Sequence, residues 1–259
     1  MSAQSNFSLT AVLSPESRAA VLIEALPYIR RFADKVVVVK YGGNALAGAS
    51  EADALALFAE DIVLMRLVGL KPVVVHGGGP QIDAALKAEE ITSEFIGGFR
   101  VTTPEIFEVV ERVLVNEVGP EVVNSLRRAG VNAVALSGRT SESLIAEPLR
   151  KLVDGTPADL GLVGVITAVN PQAIRNALKG GQVPVISPIA IDEDFRGGLN
   201  VNADIAAAAI AGALDASVLI IMTDVPGIYR NWPDTSSLIA EISAIELFEL
   251  KNGFSEGMA

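Results

Sequence analysis

Apolar positions along the chain follow two alternating patterns. Val36–Val39, Val73–Val75, Ala133–Leu136, Val183–Ile186 and Val218–Met222 are short continuous runs rich in β-branched residues. Runs without polar alternation predict strands buried on both faces, as in a parallel sheet. Between them the spacing turns helical. In Glu51–Leu70, the residues Leu55, Phe58, Ile62 and Met65 form one apolar stripe, and Gly69 is suited to end that helix. Asp204–Leu214 is alanine-rich and apolar nearly all round, which predicts a buried helix. The alternation predicts an α/β fold, a three-layer α/β/α sandwich with an open, mainly parallel central sheet. Ligands in such sheets gather beyond the C-terminal ends of the strands.

A separate helix is predicted ahead of this core. Ser14 can cap it and Pro15 suits its first position. Leu22, Leu26 and Ile29 share a face, and Pro27 is expected to kink or end the helix nearby. A helix with that face either packs on its own domain or pairs with another subunit.

Composition narrows the chemistry. Half of the 259 residues are apolar, and a formal charge of −11 argues against a nucleic-acid binder. Local lysines, arginines and backbone amides can still hold a small anion in an acidic protein. With no cysteine and one histidine, neither a thiolate nucleophile nor a His-rich metal site is expected. Every apolar run is interrupted before 18 residues, and Met1–Leu13 lacks the order of a signal peptide. No membrane association is expected, and the cytoplasm is the expected compartment.

Candidate chemistry gathers where strands end. Val36–Val39 runs into Lys40-Tyr41-Gly42-Gly43-Asn44, which places an ammonium and open backbone at the ligand edge. Val73–Val75 runs into His76-Gly77-Gly78-Gly79-Pro80, which offers backbone N–H groups at the positive end of a helix dipole. This is neither a dinucleotide-binding glycine pattern nor a P-loop. His76 reads as a packed strand-end residue. Arg100, beside Gly97 and Gly98, suits a carboxylate or an unremarkable exposed position equally well. Asn200 and Asn202 open the alanine-rich helix, as ligands or as caps. Asp204 follows them, and a buried carboxylate there needs a partner such as Lys40. Thr223 and Asp224 end the last strand in a polar turn that lines a nucleotide pocket or merely turns the chain.

Taken in order, six segments resemble the amino-acid kinase family, and within it the N-acetylglutamate kinases. They are Val39–Ala45, Val75–Ile82, Gly98–Thr102, Asp159–Gly164, Asn200–Asp204 and Thr223–Tyr229. The resemblance covers about Leu22 to Met258. It implies ATP- and Mg²⁺-dependent phosphorylation of the side-chain carboxylate of N-acetyl-L-glutamate, the second step of arginine biosynthesis. By the same resemblance, Lys40 would stabilise the transferring phosphoryl group and Asp204 would orient the lysine. Gly42, Gly43 and Gly77 would line the phosphates, and Gly78 and Gly79 would donate N–H bonds around phosphate and substrate. Arg100, Asn200 and Asn202 would grip the acyl-amino acid, with Thr223 and Asp224 in the nucleotide half.

The implied organisation has three parts. Residues 1–34 form an N-terminal extension with a helix, 35–212 a lobe carrying substrate and catalytic lysine, and 213–259 an incomplete nucleotide-binding lobe. Leu22–Ile29 resembles the helix that arginine-inhibited members interlace into hexamers, so a homo-oligomer (a dimer or a hexamer) and arginine feedback are expected of the full-length protein. Ser137-Gly138-Arg139-Thr140 stands where the family has Ser-Gly-Lys-Asp, and Ala146-Glu147-Pro148 lacks a lysine common there. The family pattern continues past Gly257-Met258-Ala259 to a second lysine. A truncated chain is therefore expected, with a catalytically impaired binding or regulatory module as the alternative function.

Overall fold

The structure is a computed structural model that describes residues 14–42, 51–152, 155–194, 197–223 and 225–250. The expected main sheet is present, with β1 (Val36–Tyr41), β2 (Lys71–His76), β5 (Ala133–Ser137), β8 (Val183–Ser187) and β11 (Val218–Ile221). Their order is β11-β1-β2-β8-β5. Every pairing is parallel, so all five C-terminal ends meet at one edge. The register aligns Lys40 with Val75 and Ile221, Tyr41 with His76, and Ser137 with Ser187.

Buried residues on both faces explain the continuous apolar runs. Val37 and Val39 of β1 join a core with α2 (Glu51–Leu67), α3 (Gly79–Ala88), α4 (Pro104–Arg112) and α5 (Gly119–Arg128). Val38 points the other way, into a core with α6 (Gln172–Lys179) and α7 (Ala203–Leu214). Three layers result, as the patterning predicts. On the α6–α7 side a second sheet, ordered β10-β9-β6-β7, was not foreseen. Its strands β6 (Leu144–Pro148), β7 (Gly164–Val169), β9 (Ile189–Asp192) and β10 (Gly198–Asn200) are short and of mixed polarity. A small hairpin, β3 (Phe95–Ile96) with β4 (Phe99–Arg100), completes the strands among the described residues.

The helices bear out some expectations and correct others. α1 runs Pro15–Phe32 straight through Pro27, capped by Ser14 as expected. None of its residues is buried, so water can satisfy the carbonyl that Pro27 leaves without a donor. Its apolar residues Leu22, Ile23 and Leu26 are exposed. α2 ends at Leu67, and Gly69 closes it as expected, with φ +92° and its N–H on the Arg66 carbonyl. α7 buries Ala206, Ala207, Ile210 and Leu214, but Ile205 is exposed, so only one face is covered. Among the described residues no helix is long and apolar enough to cross a membrane.

The segment after α4 is a π-helical turn, Val113–Val118, that leads directly into α5. Pro120, in the first turn of α5, has no N–H and its ring crowds the carbonyl four residues back. The helix opens instead, and the Gly119 N–H donates to the Leu114 carbonyl five residues earlier.

Candidate active site

The parallel register brings three chain segments together at the C-terminal edge. A Cβ on Gly77 would lie 3.5 Å from Gly42 Cα and 4.0 Å from Ala203 Cβ, so the ends of β1 and β2 touch the start of α7. Lys40 Nζ folds back over Gly42 and meets Asp204 Oδ1 at 2.9 Å. The lysine side chain is 14% exposed and that of Asp204 is 46% exposed. Asp204 is thus half exposed where a buried carboxylate was expected, although Oδ1 itself is shielded. Its place in the first turn of α7 favours the negative charge.

The glycine loop begins at His76 and ends in α3, with Gly78 as N-cap and Pro80 in the first turn. Gly77 departs from expectation, because its N–H donates to the Tyr41 carbonyl at 2.7 Å and continues the β1–β2 ladder. Gly77 contributes close approach, and Gly78 and Gly79 remain the loop's candidate donors. A Cβ on Gly78 would lie 2.6 Å from Leu114 Cδ2, so the π-helical turn sits directly beneath the loop.

His76 is fully buried, as a strand-end residue should be. Its Nδ1 lies 2.9 Å from the Gly77 carbonyl and its Nε2 2.8 Å from Ser187 Oγ. Burial lowers its pKa to about 4, against the opposing pull of the Gly77 carbonyl, so the ring is neutral at pH 7. A carbonyl only accepts, so the Nδ1 contact with Gly77 calls for the single ring proton on Nδ1. Ser187 Oγ also stands 3.1 Å from the Leu114 carbonyl, which already holds the Gly119 N–H.

A cavity of about 270 Å³ opens beside the loop, with Gly79, Asp83, Arg100, Asn200 and Asn202 in its lining. Arg100 is almost wholly buried and its guanidinium is multiply engaged. Nη2 meets Asp83 Oδ1 at 2.7 Å, Nη1 donates to Ser93 Oγ at 2.6 Å, and the group lies 4.6 Å above the Phe95 ring. Asn200 Nδ2 donates to Thr102 Oγ1 at 3.2 Å. Asn202 acts as a helix cap, its Oδ1 accepting from the N–H groups of Asp204 and Ile205.

The segment Asp159–Gly164 has a role that its residues alone do not reveal. It runs between the Arg100 and Asn200 strands and stitches both: Thr102 N donates to the Leu160 carbonyl, Leu162 N to the Thr102 carbonyl, and Asn200 N to the Leu162 carbonyl. Gly161 has φ +66°, and a Cβ there would stand 2.3 Å from the Thr102 carbonyl oxygen. Only glycine permits that approach. Asp83 and Ser187 carried no mark in the sequence, and Thr102 was marked only as the end of the Gly98–Thr102 segment. The six-segment pattern pointed to Asp159–Gly164 without assigning it a contact.

At the nucleotide end, Met222 N donates to the Lys40 carbonyl and extends the β11–β1 ladder, which leaves Thr223 just beyond the same edge. Gly43, Asn44 and Asp224 lie outside the described residues, as do Met1–Leu13 and Gly257–Ala259. Arg139, in the loop that departs from the family pattern, pairs with Glu111 at 2.9 Å. Among the described residues, no three His, Asp or Glu side chains gather as a metal cage.

Comparison with known proteins agrees with this fold. An acetylglutamate kinase of Beutenbergia cavernae is 50% identical over 247 residues, which cover 95% of this chain and 78% of that protein. An N-acetylglutamate synthase of Neisseria gonorrhoeae, complexed with coenzyme A and N-acetyl-glutamate, superposes with TM-score 0.75 at 28% identity. The match covers 93% of this chain and 53% of that one. The same synthase complexed with coenzyme A and L-arginine gives 0.70 at 26% identity, over 93% of this chain and 55% of that one. The model of the amino acid kinase family matches residues 35–259, and the chain belongs to that family.

Proposed function

We infer that this chain transfers the γ-phosphoryl group of ATP to the side-chain carboxylate of N-acetyl-L-glutamate, in the arginine-biosynthetic sequence. One observation carries the reading. The Lys40–Asp204 pair, the Gly78–Gly79 loop and a cavity bearing Arg100 and Asn200 share one edge of a parallel sheet.

The chemistry suits these groups. A carboxylate nucleophile has a pKa of about 4, so it is ionised at neutral pH and needs no general base. Catalysis then consists of alignment and of neutralising charge on the phosphoryl oxygens. Lys40 supplies a fixed cation, and Asp204 holds its ammonium in place without acting as a base. Gly78 and Gly79 offer N–H donors at the dipole-positive end of α3. Arg100 takes the acceptor's α-carboxylate, and Asn200 takes its amide end. Gly42, with Gly43, borders the phosphates, and Thr223 and Asp224 belong to the nucleotide half. Mg²⁺ would supply further charge neutralisation at the phosphates, and it would need few protein ligands because this ion retains much of its water.

Regulation and assembly follow the same line. The exposed apolar residues of α1 support assembly of identical subunits through that helix. The arginine complex of the synthase supports arginine feedback. The cytoplasm, where these metabolites reside, is the proposed compartment.

The test is ADP release dependent on both ATP and N-acetyl-L-glutamate, with hydroxylamine trapping the acyl phosphate as its hydroxamate. ADP release indifferent to the acceptor would sink the reading. A binding or regulatory module, the second reading, finds support in the synthase likeness. It predicts ligand binding without any hydroxamate. For assembly, a species in solution no larger than a dimer overturns the hexamer.

A further inference from the structure

A phosphate cradle works only if its amides point at the ligand, and glycine by itself fixes no direction. Something else must turn the loop. His76, the only histidine, sits at the loop's root, fully buried, with both ring nitrogens engaged.

We propose that His76 is a positioning residue for phosphoryl transfer: its Nδ1–H holds the Gly77 carbonyl on the protein side of the loop and so turns the Gly78 N–H toward the ligand. The step from one atom to the other is peptide geometry. The Gly77–Gly78 peptide is trans and planar, so its C=O and N–H point in opposite directions. A carbonyl drawn toward a buried ring leaves the following N–H facing outward.

The ring is itself held. Ser187 Oγ, at the end of β8, lies 2.8 Å from Nε2 and holds the far side of the ring. The π-helical turn closes the rest of the space. A Cβ on Gly119 would stand 3.2 Å from His76 Nε2 and 3.2 Å from Ser187 Oγ, and Leu114 lies against Gly78. The opened helix therefore packs both the histidine and the loop it aims. π-Turns of this kind gather at functional sites. His76 touches neither ATP nor acceptor in this arrangement; it acts through the Gly77–Gly78 peptide.

The proposal rests on the glycine loop being the phosphate site. Two variants separate positioning from packing. His76→Asn retains an N–H donor near the Nδ1 position but leaves a small cavity. His76→Phe fills the space and lacks the donor, while the Ser187 hydroxyl can turn to the Leu114 carbonyl. Expected for His76→Asn is a lower melting temperature with kcat within about threefold of wild type. Expected for His76→Phe is a melting temperature near wild type with kcat lower by about a hundredfold, the effect of losing one aligned donor, and KM values little changed. Activity that instead follows stability, with Phe active and Asn impaired, overturns the proposal. If the wild-type protein transfers no phosphoryl group, the functional reading falls separately. Crystal structures of the two variants then decide the positioning: the Gly77–Gly78 peptide should be unchanged in Asn and turned in Phe, and an unturned peptide in Phe overturns it.

Discussion

The two ends of the site are built from different materials. On the proposed assignment, the ligand-facing groups at the cradle are the backbone amides of Gly78 and Gly79 with one lysine, each set by a parallel sheet and a helix start. At the substrate end they are the side chains of Arg100 and Asn200, carried on segments stitched together by Asp159–Gly164. Backbone donors have no rotamers to choose among, so the cradle is fixed once the loop is fixed. The substrate end keeps its geometry only through partners, with Arg100 on Asp83 and Ser93 and Asn200 on Thr102. This suits the division of labour proposed above. A phosphoryl group is the same in every turnover, whereas the acceptor is what must be told apart from its analogues.

The comparison is broken most sharply at the cradle. Lys40→Ala removes the cation and leaves Asp204 Oδ1, now 2.9 Å from nothing, as an uncompensated negative charge beside the phosphates. Acceptor-dependent ADP release should fall by about a thousandfold, with acceptor affinity by calorimetry nearly unchanged. Full activity in Lys40→Ala would mean that the cradle is not where transfer occurs.

His76 gives the next effect, through pH. Its pKa is about 4 in the folded protein and near the ordinary 6.5 when unfolded. Between those values the unfolded chain binds a proton that the folded chain refuses, so stability falls as pH drops below 6.5 and levels off below about 4. Above 6.5 the ring is neutral in both states and contributes no slope. The full loss is about 3 kcal/mol. Urea midpoints of wild type and His76→Phe, close together at neutral pH, should diverge toward acid with wild type the lower, because phenylalanine does not titrate. Parallel curves would show that the ring is not held neutral.

How much of this was legible follows from the physics of each part. The five strands of the main sheet announce themselves because burial on both faces demands unbroken apolar runs such as Val36–Val39. The second sheet does not, since Gly198–Asn200 and its neighbours are too short and mixed to carry a period. Lys40 and the glycines stood out as composition at strand ends. Asp204 was paired with Lys40 on the reasoning that a carboxylate in an apolar helix needs a counter-charge, although the residue proved half exposed. The His76–Ser187 contact spans 111 residues, and a serine ending an apolar strand has nothing to distinguish it. Pro27 is tolerated inside α1 because water can reach the carbonyl it frees on that exposed helix.

The substrate end should respond to its stitching. In Gly161→Ala the new methyl group would meet the Thr102 carbonyl oxygen at 2.3 Å, at a φ that alanine resists. The Arg100–Thr102 segment must move away. A stability loss of about 2 kcal/mol and a roughly tenfold rise in acceptor KM are expected, with the KM for ATP unchanged. A rise in both KM values would show that the two ends are one unit.

The smallest effect sharpens the comparison most finely. Asp83 holds Arg100 at 2.7 Å, yet its side chain is 60% exposed. A pair of that kind is worth at most about 1 kcal/mol. An acceptor carboxylate that takes the guanidinium must displace Asp83 or approach against its charge. Asp83→Asn removes the repulsion and keeps a polar group near Arg100. Acceptor KM should therefore fall by about threefold, with kcat unchanged and the difference shrinking as ionic strength rises. The opposite sign is just as informative. If KM rises, Asp83 aims the guanidinium rather than competing for it, and the substrate end is preset by its neighbours much as the cradle is preset by its peptide planes.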